Sequence, residues 1–250
     1  MRTVYGVNPV RELLRAGGES LAELWLTEGG RRARALAELA EAARRLGAKV
    51  REAPRIRLDR LAGTDRHQGI VAVVGDYRYR DLDELLEAAR AAGEPALVVV
   101  LDGIEDPQNL GAIVRSAYAL GAHGVVIPKD RAAGVTAAVA KASAGAVEHC
   151  PVARVTNLAH AVERLKSAGV WTIATDAAAE DDLTQVDLSV ATALVVGSEG
   201  GGVRPLVRRN CDRVVRIPMK GRVGSLNASA AAAIALYEAV RQRNLKESRA

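Results

Sequence analysis

The stretch Ala96-Leu97-Val98-Val99-Val100-Leu101 is an unbroken apolar run of β-branched and aliphatic residues that ends at Asp102-Gly103. A strand with no polar alternation is typical of a parallel sheet whose two faces are both covered. Four similar runs follow, separated by helical stretches: Gly124 to Ile127, Trp171 to Thr175, Ala193 to Gly197 and Val214 to Ile217. The sequence therefore predicts an α/β fold with a parallel sheet between layers of helices.

Charge divides the chain into three parts. Residues 1–80 carry 16 Lys and Arg against 10 Asp and Glu, whereas residues 81–95 carry one Arg against five acidic residues. The acidic part has helical periodicity and stops at Gly93-Glu94-Pro95. We predict a small α/β domain at 1–76, a linker helix at 77–95 and a larger domain at 96–250.

The small domain shows alternating strand and helix patterns. The predicted elements are a strand at Leu24-Trp25-Leu26, a helix at Arg32 to Leu46, a strand at Lys49 to Glu52, a helix near Ile56 to Leu61 and a strand at Gly69 to Val74. At the other end of the chain, an arginine-bearing tail after Val240 is expected to fray.

Composition limits the class of protein. The net charge is +5 with a pI near 9.5, which favours a polyanionic partner. Cys150 and Cys211 are the only two cysteines, so neither a disulfide scaffold nor a zinc site is expected. No apolar run has the length of a signal peptide core or of a membrane span, and we expect a cytoplasmic protein.

The first polar constellation follows the run at 96–101. Asp106-Pro107 predicts a turn, and Asn109 is a candidate cap for the next helix. Arg115 stands on an otherwise apolar helix face, so a buried or clefted anion partner is expected for it.

The second constellation is Val195-Val196-Gly197-Ser198-Glu199-Gly200-Gly201-Gly202-Val203. A glycine-rich turn after a strand lets backbone amides approach a ligand. The spacing matches neither a dinucleotide fingerprint nor a phosphate-binding loop. Glu199 has the alternative of a carboxylate that stabilises a helix N-terminus.

The third constellation joins cations to a polar turn. Seven basic residues lie between Arg204 and Arg222, where they could bind phosphate or form a solvated surface. Behind them, Ser225, Asn227 and Ser229 offer more capping atoms than one helix start needs. The helix from Ala228 to Val240 is apolar nearly all round, so its own sheet or a second subunit must enclose it.

In this order, the three segments resemble the SpoU/TrmH branch of the SPOUT RNA methyltransferases. Asn109-x-Gly111-x-x-x-Arg115 resembles the first family motif, Gly197-Ser198-Glu199-Gly200 the second, and Ile217-Pro218-Met219 with Ser225-Leu226-Asn227-Ala228-Ser229 the third. Ala228 replaces the usual Val. Tyr5 to Val10 and His67 to Ala72 are similar to the substrate-binding domain of the subgroup that methylates guanosine ribose in 23S ribosomal RNA.

The resemblance implies a trefoil knot in the 96–250 domain, a homodimer through the knotted region, and an RNA substrate-binding domain at 1–76. It implies S-adenosylmethionine as co-substrate and no metal. It also implies a pocket in which Gly197, Ile217 and Leu226 contact the cofactor chiefly through backbone. The remaining residues expected to line that pocket are Thr175, Ser198, Met219 and Ser225.

The implied reaction moves a methyl group to a ribose 2′-hydroxyl. We expect Arg115 to grip the adjacent phosphate and stabilise the developing alkoxide, because a guanidinium is a poor proton acceptor. Asn109, Glu199, Ser225 and Asn227 would position the ribose and the arginine. The four histidines are interpreted as structural.

Other functions remain open at this stage. A dinucleotide-dependent enzyme would use the glycine loop, but residues 216–218 offer no acid for a ribose. A noncatalytic RNA-binding protein would explain the basic first domain without requiring the Asn109, Arg115, Glu199 and Asn227 set. Within the family, a transfer-RNA ribose methyltransferase and a drug-resistance enzyme acting on ribosomal adenosine are alternatives.

Overall fold

The computed structural model describes residues 1–221 and 223–248. The strands are β1 (Arg2–Tyr5), β2 (Leu21–Thr27), β3 (Lys49–Ala53), β4 (Ile70–Val74), β5 (Leu97–Asp102), β6 (Gly124–Pro128), β7 (Val152–Val155), β8 (Trp171–Thr175), β9 (Asp181–Asp182), β10 (Thr192–Gly197) and β11 (Arg213–Arg216). The α-helices are α1 (Val7–Arg15), α2 (Arg34–Arg45), α3 (Arg55–Ala62), α4 (Leu82–Ala92), α5 (Pro107–Ala119), α6 (Ala137–Ala142), α7 (Leu158–Ser167), α8 (Pro205–Asn210) and α9 (Ala228–Glu247).

The chain forms two compact units. One unit contains residues 1–78 together with Gly134–His149, and the other contains Tyr79–Ala133 and the chain from Cys150 onward. The segment with α6 therefore groups with the first unit, although it lies between strands of the second. The contiguous division into 1–76, 77–95 and 96–250 stays a prediction.

The first unit is built on a four-stranded sheet in the order β1-β4-β2-β3. Alternation along β2 places Leu24 and Leu26 on one face and Trp25 on the other. Helix α3 covers the Trp25 face, where Leu58 is buried with Ala53 and Val71, and α1 and α2 cover the Leu24 face. Every strand and helix predicted for this part is present, whereas β1 and α1 were not predicted from the sequence.

The second unit is built on a seven-stranded sheet in the order β7-β6-β5-β10-β8-β11-β9, with every pairing parallel. All six residues of β5 and all six of β10 are buried, because helices cover both faces of the sheet. The predicted fold class is confirmed, including the five predicted strands; β7 and β9 were not predicted. The trefoil knot stays a prediction.

Two helices of the second unit bear on the sequence interpretation. The predicted linker helix is α4, and its Leu82, Leu85, Leu86 and Ala89 are buried in the core of this unit, while its role as a linker stays a prediction. The prediction that the chain frays after Val240 is wrong, since α9 continues to Glu247. Arg243 holds this end by donating hydrogen bonds to the carbonyls of Pro95, Ala96 and Val190. Within the described residues, no helix has the length and apolarity needed to cross a membrane.

Candidate functional site

A cavity of about 370 Å³ opens at the carboxyl ends of β8, β10 and β11. This is the edge of a parallel sheet where ligands usually bind, and the volume falls within the range of small-molecule sites. The seven residues predicted to contact the cofactor all line it: Thr175, Gly197, Ser198, Ile217, Met219, Ser225 and Leu226. Their cofactor-binding role stays a prediction.

Gly197 stands where two segments of backbone almost touch. A Cβ placed on it would lie 2.0 Å from the carbonyl carbon of Gly202 and 2.2 Å from the amide nitrogen of Val203. The loop after Gly197 turns back on itself, since the Gly202 amide donates a 2.9 Å hydrogen bond to the Ser198 carbonyl. Only glycine fits there, so the second sequence motif forms a tight backbone wall for the cavity.

A buried carboxylate fixes the far end of this loop. Asp102 ends β5 next to Gly197 in the sheet register, and its side chain is fully buried. It accepts hydrogen bonds from the Arg204 amide at 2.8 Å and from the Arg204 Nε at 2.6 Å. Sequence reasoning missed this pair, although an aspartate that closes an apolar strand is a usable signal.

A second carboxylate missed by sequence reasoning is Asp176, which lines the cavity directly after β8. Its Oδ1 accepts a hydrogen bond from the Ala178 amide at 2.8 Å, and its Oδ2 lies 3.0 Å from Nη1 of Arg208. Together with Glu199 it gives the wall two carboxylates. Among the described lining residues, none is Lys or Arg.

Three predicted catalytic side chains meet beside the cavity. The Nδ2 of Asn109 donates a 2.9 Å hydrogen bond to Glu199 Oε1. The Nδ2 of Asn227 donates to Asn109 Oδ1 at 2.9 Å and also donates to Glu199 Oε1. The carboxylate thus orients both amides, and the three sequence motifs converge on one polar cluster.

The helix caps explain which of these atoms are available. Asp106, not Asn109, caps α5 by accepting a 2.9 Å hydrogen bond from the Gln108 amide, so the expected capping role of Asn109 is wrong. Asn109 lies inside the first turn, and its amide is free to meet Glu199. Asn227 caps α9 with its Oδ1, which accepts from the amides of Ser229 and Ala230.

Arg115 lies on α5 with an exposed side chain. The anion partner expected for it, buried or in a cleft, stays a prediction. In the part of the chain that the structure describes, Arg115 makes no hydrogen bond or ion pair, so its planar donors are available to a ligand. Ser225, the fifth predicted catalytic residue, lines the cavity and is also exposed.

The basic stretch after the second motif is partly neutralised by the protein itself. Arg204 pairs with Asp102, Arg208 with Asp176 and Arg216 with Asp182. Arg209, Arg213 and Lys220 form no ion pair with any described residue, and Arg222 lies outside the described residues. Half of the described cations in this stretch are therefore already paired, which the sequence alone did not indicate.

Residues 1–221 and 223–248 contain no group of three or more His, Cys, Asp or Glu side chains that could hold a metal ion. A glycine-walled cavity at the edge of a parallel sheet, with an Asn, Asn and Glu cluster beside it, is an arrangement suited to group transfer from a small cofactor.

Two family models match the chain. The SpoU rRNA Methylase family matches residues 96–237, and the RNA 2′-O ribose methyltransferase substrate binding family matches residues 3–80. The fold and site define an RNA methyltransferase with a separate substrate-binding part. The chain belongs to the SpoU rRNA methylase family, which confirms the family and the enzyme class predicted from the motifs.

Individual relatives agree with this membership. The Bacillus subtilis (strain 168) protein YacO, named for the TrmH family of tRNA/rRNA methyltransferases, is 47% identical over 96% of this chain and 96% of its own. The 23S rRNA (guanosine-2′-O-)-methyltransferase RlmB of Ralstonia nicotianae is 44% identical over 98% of this chain and 97% of its own.

A solved structure extends the likeness to the whole fold. The SpoU methyltransferase AviRb from Streptomyces viridochromogenes has a TM-score of 0.82 at 31% identity, covering 98% of this chain and 90% of that one. AviRb has also been solved in complex with the cofactor AdoMet, with a TM-score of 0.81, 31% identity and coverage of 97% and 90%. The cofactor predicted for this chain is thus the ligand of a structural relative.

Proposed function

We propose that this protein transfers a methyl group from S-adenosylmethionine to the ribose 2′-hydroxyl of a guanosine in 23S ribosomal RNA. The observation that carries the proposal is the cluster of Asn109, Glu199 and Asn227 at the rim of a glycine-walled cavity. These side chains come from three separate motifs, and each can donate or accept hydrogen bonds to a ribose.

The methyl donor is S-adenosylmethionine, and the cavity fits it in shape and charge. The tight turn at Gly197 leaves backbone rather than side chains facing the cavity, which suits close contact with a flat adenosine. The donor carries a sulfonium cation, and the Glu199 carboxylate in the wall, with no Lys or Arg among the described lining residues, provides a favourable field for positive charge. The bound sulfonium supplies an activated methyl group without any metal.

The protein's residues must align the ribose with the methyl group and stabilise the ribose oxygen as its proton is lost. The ribose oxygen forms a bond to the methyl carbon as the bond from that carbon to sulfur breaks, the neutral thioether is the leaving group, and the hydroxyl proton passes to solvent. Asn109 and Asn227, fixed by Glu199, hold the ribose in line with the methyl group. Arg115 grips the neighbouring phosphate and stabilises the alkoxide as it forms. Ser225 orients the ribose from the cavity wall.

The choice of RNA rests on the relatives. RlmB of Ralstonia nicotianae, whose name specifies a 23S rRNA guanosine, matches this chain along nearly its whole length. The second candidate is a transfer RNA ribose, because YacO is named for methyltransferases of both tRNA and rRNA. Cytoplasmic RNA is the substrate under either proposal.

Mapping of ribose methylation across ribosomal and transfer RNA in a strain that lacks the gene tests the assignment. One 23S guanosine should lose its 2′-O-methyl group and regain it when the unaltered gene is restored. Restoration with Arg115→Ala should leave the site unmethylated. Loss of methylation at a transfer-RNA position, with 23S RNA unchanged, would support the second candidate instead.

We also propose a homodimer through α9 and α5, which contact each other along the second unit. Ile234 and Tyr237 are one turn apart on α9 and are 41% and 61% exposed, and Tyr118 on α5 is 48% exposed. Large apolar side chains grouped on one helix pair are typical of an interface. Arg115 shares α5 with this surface, so dimer formation would place a second subunit near the site.

A further inference from the structure

A strongly basic surface lies on the first unit, on elements that contribute no residue to the cavity or to the Asn109, Glu199 and Asn227 cluster. Helix α3 and the edge strand β3 carry five exposed cations: Lys49, Arg51, Arg55, Arg57 and Arg60. Arg51 pairs with Glu23 at 3.1 Å, and Arg55 donates to the Asp65 carbonyl at 3.1 Å. Within the described residues, no carboxylate forms an ion pair with Lys49, Arg55, Arg57 or Arg60. We call these five residues the α3–β3 surface.

The surface has a rigid centre at Trp25. The guanidinium carbons of Arg51 and Arg57 lie 5.4 and 5.6 Å from the centroid of the Trp25 ring. Glu23 accepts a 2.9 Å hydrogen bond from Trp25 Nε1 and a 3.1 Å hydrogen bond from Arg51 Nε, so it fixes both groups. The ring also packs against the small core of Ala53, Leu58 and Val71. A guanidinium held over an aromatic ring keeps its in-plane donors free.

This geometry favours phosphate over the other groups of an RNA. Both guanidinium groups approach the Trp25 ring, so the ring is not an open platform for a base. The donors that remain are charged, planar and already ordered, which lowers the entropy cost of a bidentate contact with a phosphate. Arg57 is best placed, because it is stacked like Arg51 but has no carboxylate partner among the described residues.

The second unit, which contains the candidate site, supplies only part of the positive charge that RNA binding requires. An enzyme that acts on RNA must neutralise several phosphates to hold its substrate. Three of the six described cations in the basic stretch beside the cavity are paired with the protein's own carboxylates. The other three described cations of that stretch can still bind phosphate, and a second basic surface would add to the number of phosphates that the protein neutralises.

We propose that the α3–β3 surface binds the backbone phosphates of the substrate RNA, with Arg57 as a contact held in place by Trp25. The proposal rests on the RNA methyltransferase function given above and assigns the part of the first unit that holds the substrate. Phosphate contacts position an RNA without reading its bases, so the surface should act on any structured RNA that the enzyme binds.

The test measures affinity against salt for the full-length protein with a 23S ribosomal RNA transcript and, separately, a transfer RNA transcript. Loss of one phosphate contact lowers the magnitude of the log–log salt slope by about 0.7 to 0.9. For Arg57→Gln, the change in Kd between 50 and 200 mM salt should therefore be about threefold smaller than for the unaltered protein. Arg57→Lys should keep the slope, since it keeps the charge. Trp25→Leu should weaken binding while changing the slope less than Arg57→Gln does.

Arg45→Gln is the matched control. It removes the same charge from the same unit, but Arg45 is exposed at the end of α2, on the other face of the sheet. The salt slope of RNA binding by Arg45→Gln should equal that of the unaltered protein. Equal slopes for Arg57→Gln and Arg45→Gln would overturn the proposal, while thermal unfolding and S-adenosylmethionine binding confirm that each variant is folded.

The two proposals fail in different ways. Arg57→Gln could lower the magnitude of the salt slope on both transcripts while no 23S guanosine is methylated. In that case the α3–β3 surface binds phosphate, and the assignment of the RNA is wrong. If 23S methylation is established and Arg57→Gln leaves the slope unchanged, the function stands and the surface is wrong. Trp25 contributes to packing, so a Trp25→Leu protein that does not fold leaves the decision to the two Arg57 variants.

Discussion

The cavity wall depends on a single residue that has no room for a side chain. Gly197→Ala should abolish S-adenosylmethionine binding, because its Cβ would meet the Gly202 and Val203 backbone and displace the loop. Gly200→Ala is the control: a Cβ at Gly200 meets nothing within 4 Å, so affinity should be nearly unchanged. Calorimetry on both variants measures the difference. Unchanged affinity in Gly197→Ala would remove this loop from the site.

Arg115 is exposed and has no ion-pair partner in the described chain, so its substitution should affect chemistry more than folding. Arg115→Ala should lower kcat more than tenfold, which corresponds to a loss of more than about 1.4 kcal/mol of transition-state stabilisation. Arg115→Lys should restore little, because an ammonium cannot form the planar two-point contact with phosphate. Single-turnover methylation measures the effect on the chemical step, and cofactor titration shows whether the variant still binds S-adenosylmethionine. Recovery of most activity by the lysine variant would show that charge alone is sufficient.

Burial raises the pKa of the Cys150 thiol to about 12. Its unfolded pKa is near 8.5, so the native state holds the proton more tightly. This contribution to stability is complete below about pH 8.5 and is lost as the pH rises towards 12. Between pH 8 and 10 the unaltered protein should lose about 2 kcal/mol of unfolding free energy that Cys150→Ala does not lose. Urea unfolding of both proteins at the two pH values checks this difference.

At the scale of elements, Asn227 serves α9 and the polar cluster with different atoms. Its Oδ1 caps the helix, whereas its Nδ2 donates to Asn109 and Glu199. Asn227→Ala should therefore lose both roles, with about 1 kcal/mol of stability from the cap. Asn227→Asp should keep the cap but lose the donor and place a second carboxylate beside Glu199. Thermal unfolding and methylation assays should show a stable, inactive Asp variant; an active one would exclude this hydrogen-bond network from catalysis.

In the second unit, the strands that the sequence predicted are the ones with mainly apolar runs. Strands β5 and β10 are central and buried along their whole length, so periodicity identified them. Strand β7 is short and has Arg154 exposed, and β9 has two acidic residues at the sheet edge, so neither carries that signal. The cap of α5 was misassigned because Asp106 and Asn109 are both capping residue types, and only the fold shows which amides are unpaired.

The sequence identified the residues of the polar cluster in the candidate site but not the distances between them. Asn109 and Glu199 are 90 positions apart, and Asn109 and Asn227 are 118 apart. They meet because β10 inserts between β5 and β8, a pairing order that local patterns do not determine. The motif resemblance supplied this grouping, whereas the Asp102 and Arg204 pair, and the finding that no described residue pairs with Arg115, required the structure.

The proposed dimer gives the last prediction. Charging the centre of the exposed surface with Ile234→Glu and Tyr237→Glu should convert a dimer to a monomer, because two apolar contacts would become buried carboxylates in each subunit. Light scattering after gel filtration measures the mass. Leu206→Glu is the control, since Leu206 on α8 is 54% exposed but lies outside the α9 and α5 surface, and it should remain dimeric. If the double variant stays dimeric, the interface is elsewhere. If it becomes monomeric with full methylation activity, the second subunit contributes nothing to the site.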